Sequence, residues 1–201
     1  MIDFFELLDE PRHPWLDADA LKDKFAALST TLHPDKFPNA APEEKERIGA
    51  RFAQFNEAYI TLSDTRKRLH HLIGLENGTE PTDVQRIPPG FGDLFMKIGQ
   101  TCAEAKAFAE KRKKTELENA SPMIKAKLFV ENMEWSDRLV SLQEDVQKMQ
   151  ADLEDELRQM NRFPDNAQPL PIARLEEIYR SMSYIIRWTE QIRETSVLLA
   201  V

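Results

Sequence analysis

The sequence feature that most constrains the fold is a proline-containing corner between two amphipathic helical patterns. Upstream of the corner, apolar residues recur at steps of four, three and four, at Leu21, Phe25, Leu28 and Leu32. Downstream, a second set recurs at steps of four and three, at Ile48, Phe52, Phe55, Tyr59 and Leu62. Each spacing is typical of one apolar face of an α-helix. Because Pro34 disfavours helix at His33 and cannot itself continue one, His33-Pro34-Asp35 is predicted to be the exposed corner of a helical hairpin.

Further segments flank the hairpin in a recognisable order. They are Asp3-Phe4-Phe5-Glu6-Leu7-Leu8 upstream, and Asn56-Glu57-Ala58-Tyr59 and Leu62-Ser63-Asp64 downstream. Together with the corner, these segments resemble the J-domain of DnaJ-type co-chaperones over residues 1–75. The resemblance implies that His33, Pro34 and Asp35 engage a DnaK-type chaperone ATPase and stimulate its ATP hydrolysis. Taken alone, the triplet could equally be a simple turn, so its surroundings carry the interpretation.

Lysines close to the corner complete the predicted ATPase contact. Lys22 and Lys24 lie on the predicted second helix and Lys36 follows the triplet. Their positive charge would speed the encounter with an acidic ATPase surface. The J-domain family favours basic residues on this helix near the corner, where this chain has Ala26, Ala27 and Thr31. The competing interpretation is that these lysines are simply solvated surface residues.

Composition narrows the function classes. A net charge of −8 disfavours general nucleic-acid binding, which requires a basic stripe. The single cysteine, Cys102, can form neither an intrachain disulfide nor a cysteine-based metal cluster. The sequence contains no glycine-rich phosphate loop, nucleophile–base set or paired metal ligands, so we predict no enzyme, no cofactor and no metal. The sequence also contains neither an apolar run of the ~18 residues that a membrane span needs nor a secretory signal, which favours a cytoplasmic or organellar-matrix protein without membrane contact.

The second half of the sequence is predicted to be helical throughout. Residues 76–88 hold turn signals without apolar periodicity and are predicted to be a linker. One helix starts near Phe91, a long one covers residues 123–161, and a last one continues to Leu199. The long helix carries a coiled-coil-like seam at Trp135, Leu139, Leu142, Val146, Met149 and Leu153. The predicted fold is therefore all-α, with a J-domain at 1–75 and an antiparallel three-helix, client-binding bundle at 89–201.

A J-domain followed directly by a helical bundle resembles the HscB family of iron–sulphur cluster assembly co-chaperones. The segment Phe37–Pro42 and the segment Ile87–Phe91 are close to that family's residues after the corner and at the entry to the bundle. The resemblance implies two partners, a DnaK- or HscA-type ATPase and an iron–sulphur cluster scaffold protein as the client. Where the family has a Leu-Met-Glu run on the first bundle helix, this chain has Gly92-Asp93-Leu94, followed by Lys97.

The predicted client contact is the start of the first bundle helix, at Phe91, Leu94, Phe95 and Met96. Met96 falls off the inward stripe, and a methionine adapts to irregular partner surfaces. The alternative is that all of these residues except Met96 belong to the core. Two function classes therefore stay open: a co-chaperone that delivers a client, favoured by the intact triplet, and a helical adaptor with a J-domain-like fold and weak or absent ATPase coupling, favoured by the missing basic residues.

Overall fold

All regular secondary structure in the described part of the chain is helical. The computed structural model describes residues 2–81, 87–114, 120–161 and 170–200. The helices are α1 (Phe4–Leu7), α2 (Ala18–Leu32), α3 (Pro42–Ser63), α4 (Thr65–Asn77), α5 (Gly92–Lys114), α6 (Pro122–Met160) and α7 (Ile172–Ala200), with a 3-10 turn at Pro34–Lys36. The all-α prediction is confirmed.

The chain forms two compact units. The first comprises Met1–Asp83 and Glu154–Tyr179, and the second comprises Val84–Leu153 and Arg180–Val201. Helices α6 and α7 therefore contribute residues to both units. The independent domain ranges 1–75 and 89–201 stay a prediction, and much of the predicted linker lies outside the described residues.

Local capping chemistry sets several of the helix boundaries. The Asp17 carboxylate accepts hydrogen bonds from the backbone N–H groups of Asp19 and Ala20, at 3.0 and 2.9 Å, which starts α2. Helix α4 starts where the Asp64 carboxylate accepts the N–H of Lys67, at 2.8 Å. The helix continues through Gly74 and ends before Gly78. The φ of Gly78 is 70°, a backbone conformation that is strained for a residue with a Cβ atom.

The core of the first unit surrounds α3, which packs against α1, α2 and α4. The N-terminal part of the unit buries Phe5, Leu8, Leu16, Leu21, Phe55, Ala58, Leu62, Leu69, Leu72 and Ile73, and its C-terminal part buries Leu157, Leu175, Ile178 and Tyr179. The stacked rings of Phe25 and Tyr59, with centroids 4.2 Å apart, join α2 to α3. His71 has a packing role: its Nε2 accepts the Phe4 N–H at 3.1 Å and its ring stacks on the Phe4 ring. The neutral imidazole of His71 therefore connects α1 to α4.

The second unit is a three-helix arrangement of α5 with parts of α6 and α7. Lys97, early in α5, pairs with Asp145 of α6, whereas Arg112, late in α5, donates to Asn132 earlier in α6, so these helices are antiparallel. Arg112 also donates to the Leu199 carbonyl at 2.8 Å, which aligns the ends of α5 and α7. The predicted α6 seam is buried at Leu139, Leu142, Val146 and Leu153, and half-buried at Trp135 and Met149.

Candidate functional site

The His33-Pro34-Asp35 triplet forms a tight and exposed corner after α2. His33 is extended, with φ −61° and ψ 130°, and the next residues make the 3-10 turn. The His33 Nδ1 accepts the backbone N–H of Asp35 at 3.2 Å, and the His33 carbonyl accepts the N–H of Lys36 at 3.0 Å. Because Nδ1 is the acceptor, the neutral ring carries its proton on Nε2, which remains a hydrogen-bond donor for a partner.

Helix α3 supports the corner through a ring contact between Phe52 and His33. The His33 ring meets the Phe52 ring edge-on, with centroids 5.1 Å apart and planes at 71°. The His33 side chain is 44% exposed and that of Asp35 is 89% exposed, with 3.6 Å between Nδ1 and the nearer carboxylate oxygen. The corner therefore combines an immobilised imidazole with a carboxylate that faces solvent.

The predicted ATPase-contact lysines differ in their surroundings. The Lys24 Nζ donates to the Asp9 carbonyl at 2.5 Å and lies 2.7 Å from a carboxylate oxygen of Glu10, so its charge is compensated within the unit. Lys22 and Lys36 are exposed and make no ion pair with another described residue. The structure therefore leaves two of the three predicted lysines available to a partner.

The exposed surface of α2 near the corner is neutral. The Thr30 hydroxyl donates to the carbonyl of Ala26 at 2.8 Å, and the Thr31 hydroxyl donates to that of Ala27 at 3.0 Å. Such bonds satisfy these hydroxyls within their own helix. Of the three predicted lysines, only Lys36 directly follows the triplet in the chain, and Lys22 lies about three helical turns away.

The predicted client-contact residues divide into buried and exposed groups. Phe91 is buried against Trp188, with ring centroids 5.5 Å apart, and Leu94 is half-buried. Phe95 and Met96 are 40% and 68% exposed, respectively. The interpretation of Phe95 as a core residue is therefore wrong. Consecutive residues of an α-helix point about 100° apart, so these two exposed side chains cover a broad arc at the start of α5, which we term the exposed apolar patch.

The first unit is also stabilised by contacts between residues that are far apart in the sequence, which sequence patterns do not reveal. Arg68 is only 3% exposed and donates to the carbonyls of Pro14 and Leu62, at 3.0 and 2.5 Å. Burial lowers the pKa of Arg68 to about 10. Asn161 donates to the Trp15 carbonyl at 2.5 Å, and Arg158 lies over the Trp15 ring. These contacts tie the segment between α1 and α2 to α4 and to the end of α6.

The described residues contain neither a metal-binding cluster nor a membrane-spanning helix. Nowhere in residues 2–81, 87–114, 120–161 and 170–200 do three or more His, Cys, Asp or Glu side chains form a group able to hold a metal ion. Within the same ranges, every helix is too short or too polar to cross a membrane.

Residues 3–71 match the family model of the DnaJ domain. This stretch, which includes the corner, therefore resembles a DnaJ domain, and it is followed along the chain by a helical bundle. More particularly, the chain resembles the HscB co-chaperones. It aligns with the solved structure of chaperone HscB from Vibrio cholerae and with that of human co-chaperone protein HscB, each with a TM-score of 0.63 and 20% identity. The alignments cover 98% of this chain and 99% and 83% of those chains, which shows a shared fold.

Curated relatives align with part of the chain. Human DnaJ homolog subfamily B member 3 is 43% identical over 68 residues, 34% of this chain and 43% of the relative. The co-chaperone protein HscB homologue of Shewanella amazonensis is 35% identical over 75 residues, 37% of this chain and 43% of the relative. That of Shewanella pealeana is 34% identical over 87 residues, 42% of this chain and 50% of the relative. The chain thus matches half or less of the length of these relatives.

Proposed function

We propose that this protein is a co-chaperone that stimulates ATP hydrolysis by a DnaK- or HscA-type chaperone through His33, Pro34 and Asp35. The observation that carries the proposal is the ordered, exposed corner at the end of α2. The DnaJ-domain match and the likeness to HscB co-chaperones support the same function.

The chemistry of the corner suits recognition of a charged partner surface. The exposed Asp35 carboxylate is suited to accept charge-assisted hydrogen bonds from an arginine or lysine of the ATPase. The His33 Nε2–H offers a donor beside it, and the Phe52 contact and the Asp35 N–H bond already fix the ring. Because little side-chain freedom is lost on binding, more of the contact energy remains available for association.

The second half of the chain is proposed to present a client, and an iron–sulphur cluster scaffold protein is the client that the HscB resemblance favours. The exposed pair Phe95 and Met96 supplies the apolar centre of the contact, with Leu94 at its edge and Phe91 supporting it from the core. The nearby ion pair between Lys97 and Asp145, at 2.8 Å, leaves little unbalanced charge on that side of the patch. A client that binds here would therefore depend on apolar contacts more than on charge.

One observation favours a second candidate function, a helical adaptor with weak or absent ATPase coupling. Lys24 is engaged by Glu10, and the α2 surface near the corner is neutral. Weaker positive charge slows an encounter with an acidic partner and reduces its affinity. A measurement of ATPase stimulation separates the two functions, since both predict the same fold.

The test is single-turnover ATP hydrolysis by a DnaK-type chaperone with the wild-type protein and with His33→Gln. We expect stimulation by the wild type and none by the variant. His33→Gln is expected to lower the free energy of unfolding by no more than about 1.5 kcal/mol, because the side chain is 44% exposed and its ring contact with Phe52 contributes about 0.5–1.5 kcal/mol. His70→Gln, in the same unit, is the matched histidine control and should retain stimulation. Equal stimulation by wild type and His33→Gln would contradict the assignment, and no stimulation by either would favour the adaptor.

A further inference from the structure

The first unit contains a surface cavity of about 350 Å³ beside α4, which we term the α4 cavity. Its volume lies at the lower end of the range of small-molecule sites, about 300–1,000 Å³. Helices α1, α3, α4 and α7 all contribute to its walls. The lining includes Phe4, Arg66, Lys67, His70, His71 and Tyr179. It includes neither the corner at His33 nor the exposed apolar patch on α5, so the cavity is a separate feature of the molecule.

Helix α4 gives the cavity a basic wall. Arg66 and Lys67 lie in the first turn of the helix, and His70 and His71 lie one turn later. Side chains three and four positions apart are neighbours on a helix surface, so Lys67 lies beside both histidines. No aspartate or glutamate is among the described residues that line the cavity. The lining therefore favours a negatively charged ligand.

His71 contributes a hydrogen-bond donor that the fold does not use. The residue is only 6% exposed, and its Nε2 accepts the Phe4 N–H at 3.1 Å, so the neutral ring carries its proton on Nδ1. Among the described residues, none accepts a hydrogen bond from this Nδ1–H. No fully buried side-chain nitrogen in the described chain lacks a partner, so Nδ1 reaches the surface, and the cavity is the surface that His71 lines.

Two further donors lie on the same wall without an acceptor in the described chain. Lys67 is exposed, and its Nζ makes no ion pair or hydrogen bond with another described residue. The half-buried His70 packs its ring on the Tyr179 ring, with centroids 5.6 Å apart, but its ring nitrogens have no hydrogen-bond partner among the described residues. Arg66, by contrast, donates to the Tyr179 hydroxyl at 3.0 Å and adds positive charge to the wall.

Two carboxylates near this wall are already engaged. The Asp3 carboxylate, which acts electrostatically on His71, lies 2.6 Å from a guanidinium nitrogen of Arg12. The Asp64 carboxylate accepts the backbone N–H of Lys67 at 2.8 Å and caps α4. Neither residue lines the cavity. An anion in the cavity would therefore meet the donors of α4 and not these carboxylates.

We propose that the α4 cavity binds a phosphate group, either as free phosphate or as part of a small phosphate monoester. The available donors are the Lys67 Nζ, a ring N–H of His70 and the His71 Nδ1–H. A phosphate monoester presents three strong acceptor oxygens, which match these donors in number, whereas a carboxylate presents two. Hydrogen bonds from a charged donor to such oxygens are among the strongest in proteins. The rings of Phe4 and Tyr179 give the cavity an aromatic wall for the rest of a monoester.

The first test follows the imidazole nitrogens of the full chain by NMR at constant pH during a titration with sodium phosphate. Sodium chloride at matched ionic strength is the reference. We expect saturable shifts at His70 and His71 with phosphate and none with chloride. Phenyl phosphate distinguishes the two sources: tighter binding than phosphate assigns a monoester, and equal or weaker binding assigns free phosphate. No saturable shift with either probe would overturn the proposal, as would tighter binding of acetate than of phosphate.

The second test compares charge reversal at two lysines. Lys67→Glu should weaken phosphate binding at least about tenfold, because it replaces a charged donor by a carboxylate. The glutamate is compatible with folding, since it lies in the first turn of α4. Lys45→Glu is the matched control: Lys45 is an exposed lysine near the start of α3 and lies about 24 Å along that helix from Thr61, which lines the cavity. It should keep binding within about twofold of the wild type.

A third variant tests the histidine donor. His70→Phe retains an aromatic ring beside Tyr179 but removes the N–H, and it should weaken phosphate binding at least about threefold. Circular dichroism melting verifies that all three variants remain folded. Binding that resists both Lys67→Glu and His70→Phe would overturn the proposed site. Equal losses in Lys67→Glu and Lys45→Glu would also overturn it, because they would show a general effect of net charge.

Discussion

The rings of His33 and Phe52 meet edge-on, with their centroids 5.1 Å apart, and this contact joins the exposed corner to the middle of the helical hairpin. Phe52 lies on the apolar face of α3, whereas His33 follows the last residue of α2. The corner is thereby supported by a side chain that a partner does not need to touch. Its orientation depends on α3 as well as on the rigidity of Pro34.

Phe52→Leu should consequently reduce ATPase stimulation without unfolding the domain. An aromatic pair of this kind contributes about 0.5–1.5 kcal/mol, so the concentration for half-maximal stimulation should rise about twofold to tenfold. Phe37→Leu is the control, since Phe37 is close in sequence to the corner but makes no ring contact with a described residue. A stimulation curve unchanged by Phe52→Leu would show that the ring contact does not position His33.

The lysines near the corner should differ in their effect on association. Lys22→Gln and Lys36→Gln remove exposed positive charge and should slow binding to an acidic ATPase, with a difference that shrinks as salt rises. Lys24→Gln should alter the association rate less, because Glu10 already compensates this charge. Losing that partly exposed ion pair should cost at most ~1 kcal/mol of stability. Stopped-flow binding at low and high salt tests the order, and a dominant effect of Lys24→Gln would contradict it.

The stability of the first unit should decrease as the pH falls below neutrality. Burial lowers the pKa of His71 from its ordinary value of 6.5, an effect that the Asp3 carboxylate opposes and that His70 and Arg12 reinforce. The Nε2 of His71 must also be unprotonated to accept the Phe4 N–H. The unfolded chain therefore binds this proton more readily than the folded one. The contribution to stability is complete above pH 6.5 and is lost as the pH falls through 6.5 towards the lower folded-state pKa.

Urea unfolding across this pH range tests the His71 prediction. The wild type should lose stability between pH 7 and pH 5, on the basis of an ordinary histidine pKa of about 6.5. His71→Gln should be less stable than the wild type at neutral pH and should show a flatter pH profile. His13→Gln is the histidine control and should keep the wild-type slope. An unchanged slope in His71→Gln would assign the pH dependence to other groups.

Local chemistry explains why the helices and the corner could be predicted from sequence. Asp17 and Asp64 cap helices through bonds to residues two or three positions away, and Pro34 acts on its immediate neighbour. The ion pair between Lys24 and Glu10 and the burial of Arg68 depend on tertiary packing, which no local sequence pattern encodes. The same reason applies to Phe95, whose helical spacing fits the inward stripe but whose side chain is 40% exposed.

The two halves of the chain are predicted to fold separately, as fragments 1–75 and 86–201. The buried apolar residues from Phe5 to Ile73 lie within the first fragment, so it should melt cooperatively. It should nevertheless be less stable than in the full chain, because it loses the bonds from Asn161 to Trp15 and from Arg66 to Tyr179. Calorimetry of both fragments is the measurement. If neither fragment gives a cooperative transition, the proposed boundary is wrong.

The exposed apolar patch on α5 provides the test of client binding. Met96 is 68% exposed, so Met96→Asp should leave the melting temperature nearly unchanged while it places a charge at the centre of the proposed contact. Burying that charge against an apolar client surface is costly, and we expect binding to an iron–sulphur cluster scaffold protein to weaken at least about tenfold. Ile186→Asp is the matched control, because Ile186 is 51% exposed on α7 and lies outside the patch.

Titration calorimetry with the full chain and the scaffold protein compares the wild type with both variants. Loss of binding in Met96→Asp alone, at an unchanged melting temperature, would support the client surface at Phe95 and Met96. Equal losses in both variants would point to a general effect of added charge. If the wild type has no affinity for the scaffold, the replacement of the family's Leu-Met-Glu run by Gly92-Asp93-Leu94 becomes the decisive difference, because it removes apolar side chains from the start of α5. The client would then have to be sought among other proteins, with Met96→Asp still the variant that reports on this surface.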